Sequence, residues 1–262
     1  MDVSEVLARL DAERRTVCYD GTVLDPRPLV TRWHSTDGTL HGVNGSTLTP
    51  ATADAAIDEE VAHHAALDVG FEWKVYAHDG PADLLDRLRR RGFTVGPHEA
   101  VMVYDLARPA VWPAGGEVKV ERVDRLDQVE VYKRVAGEVF GKDYAFTATQ
   151  LAEAIAAGST QHRGYVASAS GTPAGVARLY LHPASAFGGL YGGGTLPAFR
   201  GRGVYRATVA ARAADAAAAG ARYLIVDALP TSRPILERLG FVHVSDTWPC
   251  EWASREDLAP VR

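Results

Sequence analysis

The stretch Leu190-Tyr191-Gly192-Gly193-Gly194-Thr195-Leu196-Pro197-Ala198-Phe199-Arg200-Gly201-Arg202-Gly203-Val204-Tyr205 decides how the chain is read. An apolar strand runs into three glycines, turns at Pro197, passes through Arg-Gly-Arg-Gly and enters an alanine-rich helix that lasts to about Gly220. The first N–H groups of a helix have no partner within it, and a glycine-rich loop ahead of them lets an anion close on the backbone. Gly201 and Gly203 remove Cβ atoms from that approach. Arg200 and Arg202 add charge, and the helix dipole adds more. This is the chemistry of a pyrophosphate cradle.

Downstream, Arg222 to Ala228 predicts a strand, Pro230 a turn, and Ile235-Leu236-Glu237-Arg238-Leu239-Gly240-Phe241 a short helix closed by Gly-Phe. The loop from Arg200 to Tyr205 resembles the acetyl-CoA loop of the GNAT N-acetyltransferases, written Arg/Gln-x-x-Gly-x-Gly/Ala. It matches at the first four positions and departs at Tyr205. The helix with Leu-Gly-Phe resembles the signature that closes the GNAT core, and the two matches cover about fifty residues in the family's order.

The resemblance implies a mixed α/β (α+β) GNAT fold, with a central, mostly antiparallel sheet flanked by helices. It also implies acetyl-CoA as co-substrate, bound by Arg200, Gly201, Arg202, Gly203, Val204 and Tyr205. Glycines 192 to 194 would mark a bulge where the fourth strand parts from the fifth, so that the pantetheine arm lies along main-chain groups near Thr195 and Leu196. In a helix the Tyr205 ring leans back over the preceding turn, either toward a phosphate or into the core.

Many GNAT enzymes carry a glutamate on the fourth strand as base and a tyrosine four residues before the Gly of Leu-Gly-Phe as acid. Here no acidic residue occurs between Ser185 and Arg200, and the tyrosine position is Leu236. The candidates for the base are then Glu138, Asp143 and Asp227, and those for assisting the departing thiolate are Tyr191 and Ser232. Each has a plainer alternative, such as a surface carboxylate, a packed tyrosine or, for Ser232 ahead of Pro234, a helix cap. The resemblance also places Glu138, Phe140, Asp143 and Tyr144 at a helix-to-helix junction that lines the acceptor pocket.

At 262 residues the chain has ample core for two small domains, and its net charge of -5 does not suggest a nucleic-acid surface, so no nucleic-acid partner is expected, while it is compatible with a cationic substrate such as an amine. Two cysteines, Cys18 and Cys250, are too few for a disulfide framework and lack metal-ligand spacing; they are read as thiols of a reduced cytoplasm. No apolar run approaches the roughly 18 residues that span a bilayer, so no membrane partner is expected and the location is read as cytoplasmic. A homodimer is left open. No metal site is expected: His63 and His64 point about 100° apart on a helix and are read as solvated.

Taken in order, Val3, Val6, Leu7 and Leu10 predict a helix. Thr16–Tyr19 and Leu29–His34 predict strands joined through Asp25-Pro26-Arg27-Pro28, Gly38–Val43 a continuation, and Thr49-Pro50 opens a helix to about Leu67. Phe71–Ala77 is a strand, Ala82–Arg91 a helix closed by Gly92-Phe93, and Glu99–Leu106 a strand. Strand, proline turn, helix and Gly-Phe therefore occur twice, with the Gly-Phe pairs about 148 residues apart. The first copy lacks the Arg-Gly loop before its helix and should not hold CoA.

Two prolines and two glycines make 108–116 the expected linker between a degenerate GNAT-like domain (1–107) and a complete GNAT acetyltransferase domain (117–262). The second is expected to open with a strand at Val118–Val123, a helix from Asp124 and another from about Thr147 to Ala157 with a threonine cap. Strands are expected over Tyr165–Ala169, Ala174–Leu181, Ala186–Leu196 and Val242–Trp252. The implied activity is transfer of an acetyl group to a primary amine of a small molecule or peptide by direct attack. The alternative is a non-catalytic module that binds or senses acyl-CoA.

Overall fold

The structure, a computed structural model, describes residues 1–108, 112 and 117–254. Most of the expected linker lies outside them. The chain divides into two compact units: residues 1–102 with 227–233 and the chain from 243 on, and residues 103–226 with 234–242.

In the first unit, α1 (Val3–Thr16) follows the expected periodicity, is capped by Asp2 accepting the Ser4 N–H at 2.8 Å, and buries Val6 and Leu10. Arg14 near its end pairs with Asp79 and, at 3.0 Å, with Asp11. The helix runs through Thr16, which displaces the strand expected at Thr16–Tyr19. The chain turns instead at Gly21, φ 77°, and β1 forms at Thr22–Pro26. Pro26 is tolerated there because β1 is an edge strand, paired antiparallel with β2 (Val30–Ser35). β2 pairs antiparallel with β3 (His41–Ser46), α2 (Ala53–Leu67) crosses over, and β4 (Phe71–Tyr76) lies parallel to β3. Helix α3 (Leu84–Arg90) and the short β5 (Thr94–Val95) follow, and the last strand, β12 (Val242–Trp252), pairs antiparallel with β4 from Thr247↔Tyr76 to Trp252↔Phe71.

Strand β6 (Glu99–Asp105) is shared between the two residue sets. In the second unit β7 (Val118–Val123) precedes α4 (Leu126–Phe140) and α5 (Ala145–Ala156). β8 (His162–Ala169), β9 (Thr172–Tyr180) and β10 (Phe187–Thr195) form an antiparallel meander. Helix α6 (Val204–Ala218) then crosses over to β11 (Tyr223–Ala228), which runs parallel to β10, and α7 (Arg233–Arg238) follows. Helix α5 starts two residues earlier than the threonine cap implied. Tyr144 stands at its N-cap, and Asp143 Oδ1 accepts the Ala145 N–H at 2.9 Å. Among the described residues no helix is long and apolar enough to cross a membrane, and both cysteines are free thiols.

The duplication is visible in this order. Three antiparallel strands, a crossover helix and a parallel strand occur as β1-β2-β3-α2-β4 and again as β8-β9-β10-α6-β11. The helices that follow end alike. Phe93 N–H reaches Leu88 C=O at 3.2 Å and Phe241 N–H reaches Leu236 C=O at 3.0 Å, with Gly92 and Gly240 at φ 87° and 89°. This is the Schellman cap, which needs a left-handed residue after the helix. In both copies the leucine and phenylalanine are buried. The copies differ ahead of the crossover helix: no residue between Ser46 and Ala53 has positive φ, whereas Gly201 and Gly203 do.

His64 is a correction to the solvated reading of α2. It is 1% exposed, stacks on Phe71 at 3.8 Å between ring centroids, and shares a 2.8 Å hydrogen bond between Nδ1 and Glu60 C=O. Glu60 beside it is held by Arg32 in a buried two-pronged pair at 2.6 and 2.8 Å. Burial, with the charges of His63, His41 and Arg32 added, pushes the His64 pKa down to about 4 despite that hydrogen bond. Between that value and the unfolded one of about 6.5 the unfolded chain binds the extra proton, so stability is full above pH 6.5 and falls as pH drops toward 4. Urea unfolding of the wild type at pH 7 and pH 4.5 should show a loss exceeding that of His64→Gln by about 2 kcal/mol. Equal losses in the two proteins would contradict the burial of a neutral His64.

Candidate active site

The site is built where β10 leaves β11. Their parallel pairing covers Phe187↔Tyr223, Gly188↔Leu224 and Gly189↔Ile225. On its other edge β10 slips register against β9 between Tyr191 and Gly194, a bulge with Gly192 at φ 51°. Glycine is required here by crowding as well as by backbone. A Cβ on Gly194 would stand 2.9 Å from Phe140 Cζ on α4, and one on Gly193 would stand 3.1 Å from Tyr205 Cε2 and 3.3 Å from Arg212 Nη2 on α6. Past the bulge, Leu196 is fixed by its N–H to Ala174 C=O at 2.8 Å, while the buried Thr195 hydroxyl has no hydrogen-bond partner among the described residues.

A 3₁₀ turn (Pro197–Phe199) then carries the chain to Arg200, Gly201, Arg202 and Gly203. Arg200, Gly201 and Arg202 are exposed, and Arg202 lies 5.3 Å from the Phe199 ring centre. Gly203, φ 81°, is the N-cap of α6 and offers no side-chain cap, so the N–H groups of Val204, Tyr205 and Arg206 point out of the helix without helical partners. Val204 is buried and anchors the first turn in the core. The half-buried Tyr205 ring lies against Gly193; burial raises its phenol pKa, and the charge of Arg212 offsets part of the rise.

Two arginines were not legible as site residues. A Cβ on Gly203 would meet Arg206 Nη2 at 3.2 Å, so this guanidinium folds over the loop, and its Nε is buried without a hydrogen-bond partner. Among the described residues Arg200, Arg202 and Arg206 have no ion-pair partner. The second is Arg212, 1% exposed, whose Nε and Nη1 donate to Thr208 C=O at 3.0 Å and Arg178 C=O at 3.1 Å while Nη2 is orphaned. Burial lowers its pKa, and Tyr205, Tyr165 and Tyr132 work against that fall. Their only sequence signal is a basic residue on an otherwise alanine-rich helix.

The acid–base candidates are scattered. Glu138 is exposed on α4 and pairs with Arg134 at 3.3 Å, and Asp143 caps α5. Tyr191 is 46% exposed, with its ring edge-on to Tyr180 at 5.0 Å. Asp227 and Ser232 belong to the first unit's residues. Asp227 is half-buried and ion-paired with Lys74, and the Ser232 hydroxyl donates to Leu229 C=O at 3.1 Å. Leu236, where many relatives place a tyrosine, is fully buried.

The features of the second unit fit a nucleotide-linked acyl carrier. A forked pair of strands exposes one edge of β10, and a left-handed glycine opens a helix toward three arginines without partners, one with a buried orphan N–H. Comparison with known proteins is consistent with this arrangement. Residues 129–241 match the model of the Acetyltransferase (GNAT) family. Curated proteins return no match. Among solved structures, a GCN5-related N-acetyltransferase from Kribbella flavida superposes with a TM-score of 0.67 at 15% identity, covering 95% of this chain and 93% of that one. One from Sphaerobacter thermophilus gives 0.56 at 14%, covering 87% and 82%. A tandem GNAT protein from the clavulanic acid biosynthesis pathway gives 0.54 at 14%, covering 99% and 96%. The strand fork, the Arg-Gly-Arg-Gly helix start and the closing Gly-Phe all lie inside the span that matches the GNAT family model, and the chain has the GNAT fold.

Proposed function

We propose that the chain is an N-acetyltransferase that moves an acetyl group from acetyl-CoA to a primary amine of a small molecule or peptide. The observation that carries this reading is the α6 start: left-handed Gly203, three N–H groups without helical partners, and Arg200, Arg202 and Arg206, which pair with no carboxylate among the described residues. Together these would hold the pyrophosphate, while the open edge of β10 from Leu190 to Leu196 takes the pantetheine arm as an added strand. Acetyl-CoA supplies the acyl group as an activated thioester. The chain's own contribution is positioning, exclusion of water and removal of the proton the amine gives up. Of the candidates, Tyr191 on β10 belongs to the same unit as the α6 start, and we assign it to assist the leaving thiolate. The burial of Leu236 supports the second reading, an acyl-CoA-binding module without turnover. Release of CoA thiol with a panel of amines separates the two.

Gly203→Asp puts a Cβ on a left-handed backbone and a negative charge opposite the phosphates. It should abolish acetyl-CoA binding in calorimetry while the far-ultraviolet dichroism stays that of the wild type. Unchanged affinity in the folded variant would refute the cradle. The same titration of the wild type should give one acetyl-CoA per chain, because the β3-to-α2 connection has neither the arginines nor the left-handed glycines; two sites per chain would be inconsistent with this. Tyr205→Ala should lose about 3 kcal/mol of stability because its ring packs under β10, and Tyr205→Phe should keep both stability and affinity. A weakened affinity in the Phe variant would place the hydroxyl on a phosphate instead.

A further inference from the structure

The face of β9 opposite α6 holds a second set of unsatisfied donors. Arg178 pairs in register with Tyr191 at the β10 bulge, and a Cβ on Gly192 would stand 3.1 Å from its Nε and 3.4 Å from its Nη2. Its Nη1 donates to the Tyr180 hydroxyl at 2.9 Å, but its Nε is buried with no partner, and no carboxylate pairs with it among the described residues. On α4, Tyr132 is 0% exposed and its hydroxyl also has no partner. Burial raises the pKa of both Tyr132 and Tyr144; the charge of Arg178 works against the rise in both, and that of Arg212 also does so for Tyr132. Tyr144 in turn stacks on Phe140 at 5.2 Å, at the junction of α4 and α5. An orphaned buried hydroxyl and an uncompensated guanidinium are each costly, and proteins leave such groups without partners chiefly where a ligand completes them.

We propose that Arg178 and Tyr132 recognise a carboxylate on the acceptor, so that the amine acetylated by this enzyme belongs to an amino acid or another amino carboxylic acid. A carboxylate is planar, carries one negative charge and offers lone pairs on two oxygens. It therefore matches one guanidinium fork and one neutral phenol, where a phosphate would bring a charge the site does not balance. The Tyr180 ring, its centre 5.6 Å from the Arg178 guanidinium, adds low-dielectric surface beside the group and strengthens the pairing. Arg178 is thus a specificity determinant, one residue pair away from the strand edge that takes the co-substrate. This inference rests on the acetyltransferase reading above.

The test uses the full chain, saturating acetyl-CoA and matched acceptors: L-phenylalanine against phenethylamine, L-lysine against cadaverine, and β-alanine against ethylamine. CoA-thiol release by the wild type should show a KM at least about tenfold lower for a carboxylated member of these pairs than for its plain amine. Arg178→Gln should erase that preference, Arg178→Lys should keep only part of it, and Tyr132→Phe should weaken it several-fold, all with the acetyl-CoA affinity of the wild type. If neither member of any pair is turned over, calorimetry of the same six compounds with the chain decides, and the same preference is expected in Kd. Equal KM or Kd values within every wild-type pair would overturn the proposal. So would a preference that survives in Arg178→Gln, or an Arg178→Gln effect on acetyl-CoA instead. Failure of the wild type to bind acetyl-CoA would count against the acetyltransferase reading alone, since the acceptor comparison is read separately.

Discussion

Two parallel strands that stop pairing after three residues set the terms for the rest of the second unit. Once β10 departs from β11 at Gly189 and Ile225, its backbone groups from Leu190 onward must find partners elsewhere, and the bulge against β9 turns part of that edge outward. The glycines follow from this constraint. Val139 and Phe140 press on the bulge from α4, Tyr205 and Arg212 from α6, so side chains at 193 and 194 would force the two helices off the sheet. The same crowding brings arginines from α6 and β9 close to the departing strand without giving them carboxylates. A forked sheet with cations beside the fork matches in shape and charge something long, polar and anionic at one end.

Much of this was legible from residue order. The strands read over Val118–Val123 and Val242–Trp252 reproduce the observed ones to the residue. The helix start at Val204 was legible because glycine in a left-handed conformation has few other uses. What was hidden depends on partners far away in sequence. Arg178 and Tyr132 look like an ordinary strand cation and a helix aromatic until their bonding is counted, and Arg206 looks like one more exposed residue on a surface helix. Asp143 shows the opposite case: a carboxylate offered for proton transfer is occupied in holding the first turn of α5.

The first unit illustrates how a duplicated frame diverges. It keeps the meander, the crossover helix and the Gly-Phe closure, yet its crossover helix begins without left-handed glycines, and the inner face of that helix carries Glu60 and His64. Glu60 is neutralised by Arg32 with good two-pronged geometry, which makes a buried carboxylate tolerable. A His beside it, held neutral, then fills space against Phe71. Arg32, Glu60 and His64 in this copy hold one another or the backbone, whereas Arg178, Thr195, Arg206 and Arg212 near the β10 bulge each keep a buried donor without a partner.

The pairing of β4 with β12 has a consequence for the order in which the molecule is made. Strand β4 is synthesised about 170 residues before its partner over Thr247–Trp252. Until then Trp73, Val75 and the rest of that apolar strand have an open edge, and an unpaired edge of this kind invites pairing with another chain. The second unit, whose strands β7 to β11 lie within about 110 consecutive residues, has no such wait. Nascent chains stalled before residue 243 should therefore be substrates for chaperones through the first unit, while the second is already in place.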